Sequence, residues 1–439
     1  MVHNGNCGLV RRGLSIECYP VSLSLPVPFE DYHWVQCWSA LLLAGKECLV
    51  KLLIYSHAFA PQVGGIETFV AQLARGLAKT GPVENPNNLT VTVVTQVPAS
   101  READSGEFSF RIVRNPGALE LWRLVGESDR ILLAGPAILP LMFSLLRRRF
   151  LIVSHHGYQS ICPNGMLFQF PKKTCCPGHF AAGRFSECVK CNAPQEKLAG
   201  SLKTLLLTFV RRGLSRLAIF NVAVSEHVSA RIALPRLRVI RNGVPEALPA
   251  RQSVTATGAS DGPIVFAYVG RLVTEKGVSV LVEAASLLKS WGCQFQILII
   301  GDGPERIDLQ TLASSLNLGP ELRFLGFQKG PKLEESMNEV SALVMPSICE
   351  DAAPMAVLEQ MMQERLIIGA RIGGLAEEIG DAGITFEPAN ANALAERMKQ
   401  VIEEPNVIEI LGKRARERAL IHYTLQRQLD EYRELLQGR

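Results

Sequence analysis

Two loop segments carry the side chains best suited to chemistry. The first, Gly270-Arg271-Leu272-Val273-Thr274-Glu275-Lys276-Gly277, sets an arginine and a lysine between glycines, after a strand-like run at 264–269 and before an amphipathic segment. At a helix N-terminus, backbone N–H groups and the helix dipole favour an anion, and two fixed cations complete a phosphate site. A solvated loop with charges for solubility is the competing reading. In the second segment, Asp351 and Glu359 bracket another loop-to-helix turn. A carboxylate accepts two hydrogen bonds in fixed geometry, which suits sugar or ribose hydroxyls. Glu359 also reads as a first-turn acid that favours the helix dipole. Phosphate at one turn and polyol at the next is what a nucleotide-sugar site needs.

Further candidates lie upstream. Gly64 and Gly65 open a helix and read as a turn needing positive φ. His155 and His156 end the apolar run 151–154, where ligands of open α/β sheets bind. Asn242-Gly243-Val244 reads as a turn and nothing more. Cys162, Cys175, Cys176, Cys188 and Cys191 crowd one region, and Cys188-Val-Lys-Cys191 forms a C-x-x-C knuckle. A cytoplasmic cluster of this kind favours zinc over disulfides. The expected ligands are Cys162, Cys175 or Cys176, Cys188 and Cys191, with His179 competing and reduced thiols as the alternative. The sequence shows no serine elbow, no H-E-x-x-H and no D-x-D motif.

GRLVTEKG, IIGDGPE (299–305) and PSICEDAAPMAVLEQM (346–361) together resemble the family-4 retaining glycosyltransferases. The resemblance runs from about Lys51 to the C-terminus. It implies a GT-B fold, α/β with two Rossmann-like domains facing a central cleft. It implies hexosyl transfer from a nucleoside diphosphate sugar to a sugar or lipid-linked hydroxyl acceptor, in polysaccharide or glycolipid synthesis. Arg271 and Lys276 then hold and stabilise the departing diphosphate, and Glu359 binds the ribose. Asp351 and Ala352 meet the donor sugar, His156 faces that sugar, and Gly65 lets the backbone approach the donor. The family's first carboxylate is usually Glu. Register gives Asp351 here, one methylene shorter, with Glu350 as the neighbour. No catalytic cofactor is implied, because basic side chains and helix dipoles replace a divalent ion. A degenerate, non-catalytic relative is the alternative. An epimerase would need acid/base carboxylates that the motifs do not provide.

The elements that must position these residues follow from periodicity. The chain has 439 residues, 47% hydrophobic and 20% charged, enough for two α/β cores. Short apolar strands are expected at 51–56, 89–95, 131–134, 151–154, 220–224 and 238–240. A second set is expected at 264–269, 295–300, 322–325, 342–344, 366–369 and 384–386. Alternation with helices implies parallel sheets covered on both faces. The domains expected are 51–244 for the acceptor, with a Cys-rich insertion at 162–191, and 263–421 for the nucleotide sugar. They are joined by a Ser/Thr/Gly/Pro-rich linker at 245–262, and a last helix within 422–439 returns to the first domain. Residues 1–49 match nothing in the family; they read as untranslated or disordered, with Val50 standing where an initiator would.

Net charge is +4 but unevenly spread: 23 Lys and Arg against 11 Asp and Glu over 51–240, then 20 against 27 over 241–439. The basic half points to an anionic membrane surface or lipid phosphate, or to a merely solvated face. Stacking-aromatic motifs for nucleic acid are absent. The longest apolar run, 131–146, is interrupted by Gly135, Pro136 and Pro140 and is too short to span a bilayer. The expected location is cytoplasmic, peripheral at the inner membrane face.

Overall fold

A computed structural model of the chain describes residues 50–78, 89–98, 108–192, 197–247 and 262–438. The expectation for residues 1–49 and most of the linker segment lie outside the described residues.

The first domain is a seven-stranded parallel sheet in the order β3-β2-β1-β4-β5-β8-β9. Its strands are β1 (Val50–Ser56), β2 (Leu89–Thr95), β3 (Arg111–Arg114), β4 (Arg130–Ala134), β5 (Phe150–His155), β8 (Phe220–Ala223) and β9 (Leu237–Val239). Helices α1 (Gly65–Leu77), α2 (Ala118–Glu127), α3 (Ile138–Leu146), α4 (Phe185–Asn192), α5 (Leu198–Ser215) and α6 (Glu226–Ile232) accompany it. The central strands are buried on both faces, which is why they read as continuous apolar runs: Leu52, Leu53 and Ile54 of β1 lie within the core, as do Ile131, Leu132 and Leu133 of β4. A short antiparallel ribbon, β6 (Phe168–Gln169) with β7 (Thr174–Cys175), belongs to the cysteine region.

The second domain is a six-stranded parallel sheet in the order β12-β11-β10-β13-β14-β15. Its strands are β10 (Ile264–Val269), β11 (Phe295–Ile300), β12 (Leu322–Gly326), β13 (Ala342–Met345), β14 (Leu366–Ala370) and β15 (Ile384–Phe386). Its helices are α7 (Val278–Ser290), α8 (Arg306–Ser315), α9 (Pro331–Asn338), α10 (Met355–Met362), α11 (Gly373–Ile379), α12 (Ala391–Glu403) and α13 (Asn406–His422). In α7 the buried residues Val278, Leu281, Val282, Ala285 and Leu288 form the stripe expected of an amphipathic helix.

The last helix, α14 (Leu425–Leu436), packs on α1 and puts Leu429, Tyr432, Leu435 and Leu436 into the first domain's core. The segment Asn242-Gly243-Val244 is more than the turn expected. Val244 N–H donates to Tyr423 O at 2.9 Å, Leu425 N–H donates to Val244 O at 2.9 Å, and Val244 bridges to Thr424. A Cβ at Gly243 would lie 2.4 Å from Thr424 O, so glycine is needed where the returning chain crosses.

Candidate active site

The phosphate-type loop is built by backbone contact. Gly270 N–H donates to Ile300 O and Leu272 N–H to Asp302 O, so the loops after β10 and β11 lie against each other. A Cβ at Gly301, whose φ is 146°, would fall 1.8 Å from Gly270 O. Only glycine permits that approach. Buried Leu272 anchors the loop, and Tyr268 Oη donates to Arg271 O at 2.8 Å. Thr274–Lys276 form one 3-10 turn, Gly277 turns left-handed at φ 62°, and α7 begins. Arg271 therefore stands on a fixed backbone with its side chain 72% exposed; its nearest acid, Glu275, is 3.9 Å away.

Lys276 is placed differently. Its Nζ lies 2.5 Å from Asp351 Oδ1, with the two side chains only 18% and 12% exposed. Ser347 Oγ donates to Asp351 Oδ2 at 2.5 Å. Burial, the largest single influence, would lower the Lys276 ammonium, but Asp351 together with Cys349 and Tyr268 outweighs it and the shift is upward. The adjacent Glu350 is committed elsewhere. Arg231 grips it through Nε at 2.8 Å and Nη2 at 2.9 Å, and His227 Nε2 lies 2.8 Å from the same carboxylate. Glu350 thus ties α6 of the first domain to the second, leaving Asp351 as the carboxylate beside the cation.

The loop carrying Asp351 rests on the start of α11. Gly374 N–H donates to Asp351 O at 2.6 Å, and a Cβ there would lie 1.9 Å from Ala352 O. Ala352 O also accepts from Ser225 Oγ at 2.7 Å across the domains. Glu359 sits on α10, half-buried, with no hydrogen-bond or ion-pair partner among the described residues. Burial pushes its carboxyl up to about 7. Motif reading missed Glu378, on α11. It is buried, neither carboxyl oxygen has a partner, and burial followed by the charge of Asp351 raises it well above the carboxylate range. No sequence signal marks it, because Glu377-Glu378 reads as a solvated helix face.

The first domain contributes the opposite wall. Gly64 has φ 179°, ordinary extended backbone, and Gly65 starts α1, so the expected positive φ is not found. What the glycine permits is proximity: a Cβ on Gly65 would stand 3.6 Å from Met355 at the start of α10. His155 is fully buried and its Nε2 lies 2.9 Å from Asn221 Oδ1, so it is part of the core. His156 is less enclosed; its Nε2 lies 3.0 Å from Ser154 Oγ and its ring packs on Phe69 of α1. Burial, then His155 and His57, lowers it to about 3, so its ring is neutral at physiological pH.

The cysteine region corrects one expected ligand. Cys175 Sγ donates to Ile348 O at 3.1 Å in the second domain. Its neighbour Cys176 instead joins Cys162, Cys188, Cys191 and His179 around one small cavity. Cys175 ends β7 and Cys176 follows it, and successive side chains of extended backbone leave on opposite sides. Burial raises Cys162 to about 11 and Cys188 to about 12, so both are neutral thiols. His179 Nδ1 is buried without a partner. This donor set suits zinc chemically, although among the described residues no three such groups are already set to hold a metal ion.

The model for glycosyl transferases group 1 matches residues 251–418. That segment belongs to the group 1 glycosyltransferases. An alpha-D-kanosaminyltransferase of Streptomyces kanamyceticus is 30% identical over 184 residues, 40% of this chain and 47% of that protein. A putative colanic acid biosynthesis glycosyltransferase, WcaL, of Salmonella typhimurium is 27% identical over 47% of this chain and 52% of its own. The chain thus spans about half the length of these curated relatives. HepE of Anabaena, solved with UDP and glucose, superposes with a TM-score of 0.66 at 16% identity, over 89% of this chain and 100% of that one. Sucrose-phosphate synthase of Thermosynechococcus elongatus gives 0.66 at 20% identity, also over 89% and 100%. The fold is GT-B, with its two parallel sheets.

Proposed function

We propose that this protein is a retaining glycosyltransferase. It moves a hexosyl group from a nucleoside diphosphate sugar to a hydroxyl of a sugar or lipid-linked acceptor, in cell-surface polysaccharide or glycolipid synthesis. The observation that carries the reading is the buried Lys276–Asp351 pair beside exposed Arg271. Two cations at one helix start suit a diphosphate, and the carboxylate between them and the opposite domain suits a sugar. The names of the relatives and of the UDP-bound fold neighbour support this chemistry.

In this reading Arg271 and Lys276 meet the negative charge that grows on the leaving diphosphate, the largest contribution to the rate. Partnerless Glu359 accepts the ribose hydroxyls. Asp351 and the Ala352 backbone meet the sugar, neutral His156 offers a ring nitrogen from the first domain, and Gly65 admits the donor backbone-close. As the donor glycosidic bond breaks, the departing phosphate oxygen takes the acceptor proton while the acceptor oxygen bonds on the same face. No side-chain base is required, and no catalytic divalent ion. For the cysteine region, we propose a structural zinc held by thiolates from Cys162, Cys176, Cys188 and Cys191, with His179 as the competing donor.

The test is a panel of UDP-, GDP- and ADP-sugars with purified protein, reading nucleoside diphosphate release with and without sugar acceptors. Release from one donor that rises with an acceptor and retains the anomeric configuration is expected. Tight donor binding with no release from any member would leave a binding protein and overturn transfer.

A further inference from the structure

Helix α5 is inside out. Its buried residues are Ser201, Thr208 and Ser215, one narrow stripe of small polar side chains. Ser201 Oγ and Ser215 Oγ are buried without hydrogen-bond partners. The opposite face carries Leu198 and Leu206, each 63% exposed, with Leu202 at 51% and Phe209 at 43%. A helix of a globular domain ordinarily turns its leucines to the core and its serines to water. Here the polar stripe allows α5 to lie close on its own domain while the apolar stripe faces outward.

The stripe continues beyond α5. Leu217 and Ile219 follow it in sequence and are exposed. Helix α3 packs beside α5 and exposes Leu139, Met142 and Leu146. Scattered surface leucines need no explanation, but a contiguous set on two packed helices does. Lys203 on α5, Arg216 at its C-terminal cap, and Arg147 and Arg148 after α3 are exposed at its margins. The sequence has no Asp or Glu from 130 to 186, and none from 197 to 225. The surface is therefore apolar at its centre with an excess of cations on α3 and α5, while the helices beside them bring carboxylates such as Glu127 on α2 and Glu187 on α4, each ion-paired within its own helix to Arg123 and Lys190. Among the described residues no helix is long and apolar enough to cross a membrane.

We propose that α5 and the exposed edge of α3 dock this protein onto the surface of an anionic lipid bilayer. The apolar stripe enters the headgroup–acyl boundary, and Lys203, Arg216, Arg147 and Arg148 meet lipid phosphates. Charge decides for a bilayer over a second copy of the chain. A two-fold contact through α3 and α5 would set Lys203, Arg216, Arg147 and Arg148 of both copies against each other, with no carboxylate on either helix to pair them.

The test uses the full chain in vesicle sedimentation, comparing pure phosphatidylcholine with phosphatidylcholine containing phosphatidylglycerol. Binding to the anionic vesicles, at least about tenfold stronger than to the neutral ones and weakened by salt, is expected. The double variant Leu202→Ser, Leu206→Ser should lose at least about tenfold in partition, since insertion scales with buried apolar area. Lys203→Glu with Arg216→Glu should erase the preference for anionic lipid. Both variants change exposed residues, so their melting temperatures and nucleoside diphosphate binding should match wild type. Equal binding by wild type and the Ser double variant, or no vesicle binding by wild type, overturns the proposal. So does a wild-type dimer in solution that Leu202→Ser, Leu206→Ser converts to monomer.

Discussion

Lys276 Nζ lies 2.5 Å from Asp351 Oδ1, so the cation assigned to a phosphate and the carboxylate assigned to a sugar neutralise each other. They come from sites 75 residues apart, at the ends of two neighbouring strands, β10 and β13. The pair keeps a buried ammonium charged in the free protein, and an incoming diphosphate would take over that task.

Replacing Asp351 by Asn should therefore destabilise the protein by about 3 kcal/mol, because it leaves a buried charge uncompensated. A nucleoside diphosphate should then raise the melting temperature more in Asp351→Asn than in wild type, since it supplies the missing charge. Thermal denaturation with and without the diphosphate reads both effects. An equal or smaller ligand-induced rise in the variant would remove Lys276 from the phosphate site.

Arg271→Ala should behave differently. The side chain is largely exposed and its closest acid is 3.9 Å away, so the melting temperature should hardly change. Turnover at saturating donor should fall by about two to three orders of magnitude, the usual effect of removing one preorganised group at a developing oxyanion. Near-wild-type turnover would place Arg271 outside the reaction.

The parallel strands were legible because burial on both faces makes them apolar runs. The expectations at 89–95, 264–269, 295–300 and 384–386 coincide with β2, β10, β11 and β15. Edge strand β3 was not legible: in Arg-Ile-Val-Arg only Val113 is buried, and two arginines mask the pattern. The site resisted wherever neighbours in sequence part in space. Glu350 and Asp351, Cys175 and Cys176, and Glu377 and Glu378 are adjacent pairs whose members face different partners. Distant residues decide each outcome: Arg231 takes Glu350, Ile348 takes Cys175, and Arg241 takes Glu377.

Glu359 predicts a pH dependence of donor binding. Its carboxyl is raised to about 7 in the free protein, and ribose hydroxyls donate best to the ionised form. Donor affinity should increase as pH rises through about 7 and weaken about tenfold for each unit below it. Isothermal titration from pH 5.5 to 8.5 measures this, and Glu359→Gln should give weaker, nearly pH-independent binding. A wild-type profile as flat as that of Glu359→Gln would separate Glu359 from the ribose.

Glu378 predicts a pH dependence of stability. Its folded carboxyl is raised well above 4.5, while the unfolded chain ionises near that value. Folding thus gains most below about pH 4.5, and that contribution is lost as pH rises towards the folded value. Glu378→Met removes two buried oxygens that lack partners, so the variant should be more stable by about 1–3 kcal/mol at neutral pH. Its advantage over wild type should grow between pH 5 and pH 8. Denaturant unfolding at those two pH values checks the sign; an advantage that shrinks with rising pH would mean that Glu378 is ionised and paired.

The cysteine cavity predicts a metal content. Four thiols and an imidazole with a buried, partnerless Nδ1 surround it, and the ligands of a tetrahedral zinc would come from these five groups. Purified protein, kept away from metal-affinity columns, should contain about one zinc per chain, since a structural site holds one ion. Binding must displace protons from thiols that burial keeps neutral, so zinc retention should weaken as pH falls. Cys188→Ser with Cys191→Ser should abolish the zinc, whereas Cys175→Ser should retain it, because Cys175 points to Ile348. Nucleoside diphosphate binding by the second domain should persist in both variants. Elemental analysis together with native thiol titration decides the matter: zinc near zero with Cys162, Cys176, Cys188 and Cys191 all titratable would leave the cavity lined by unliganded thiols.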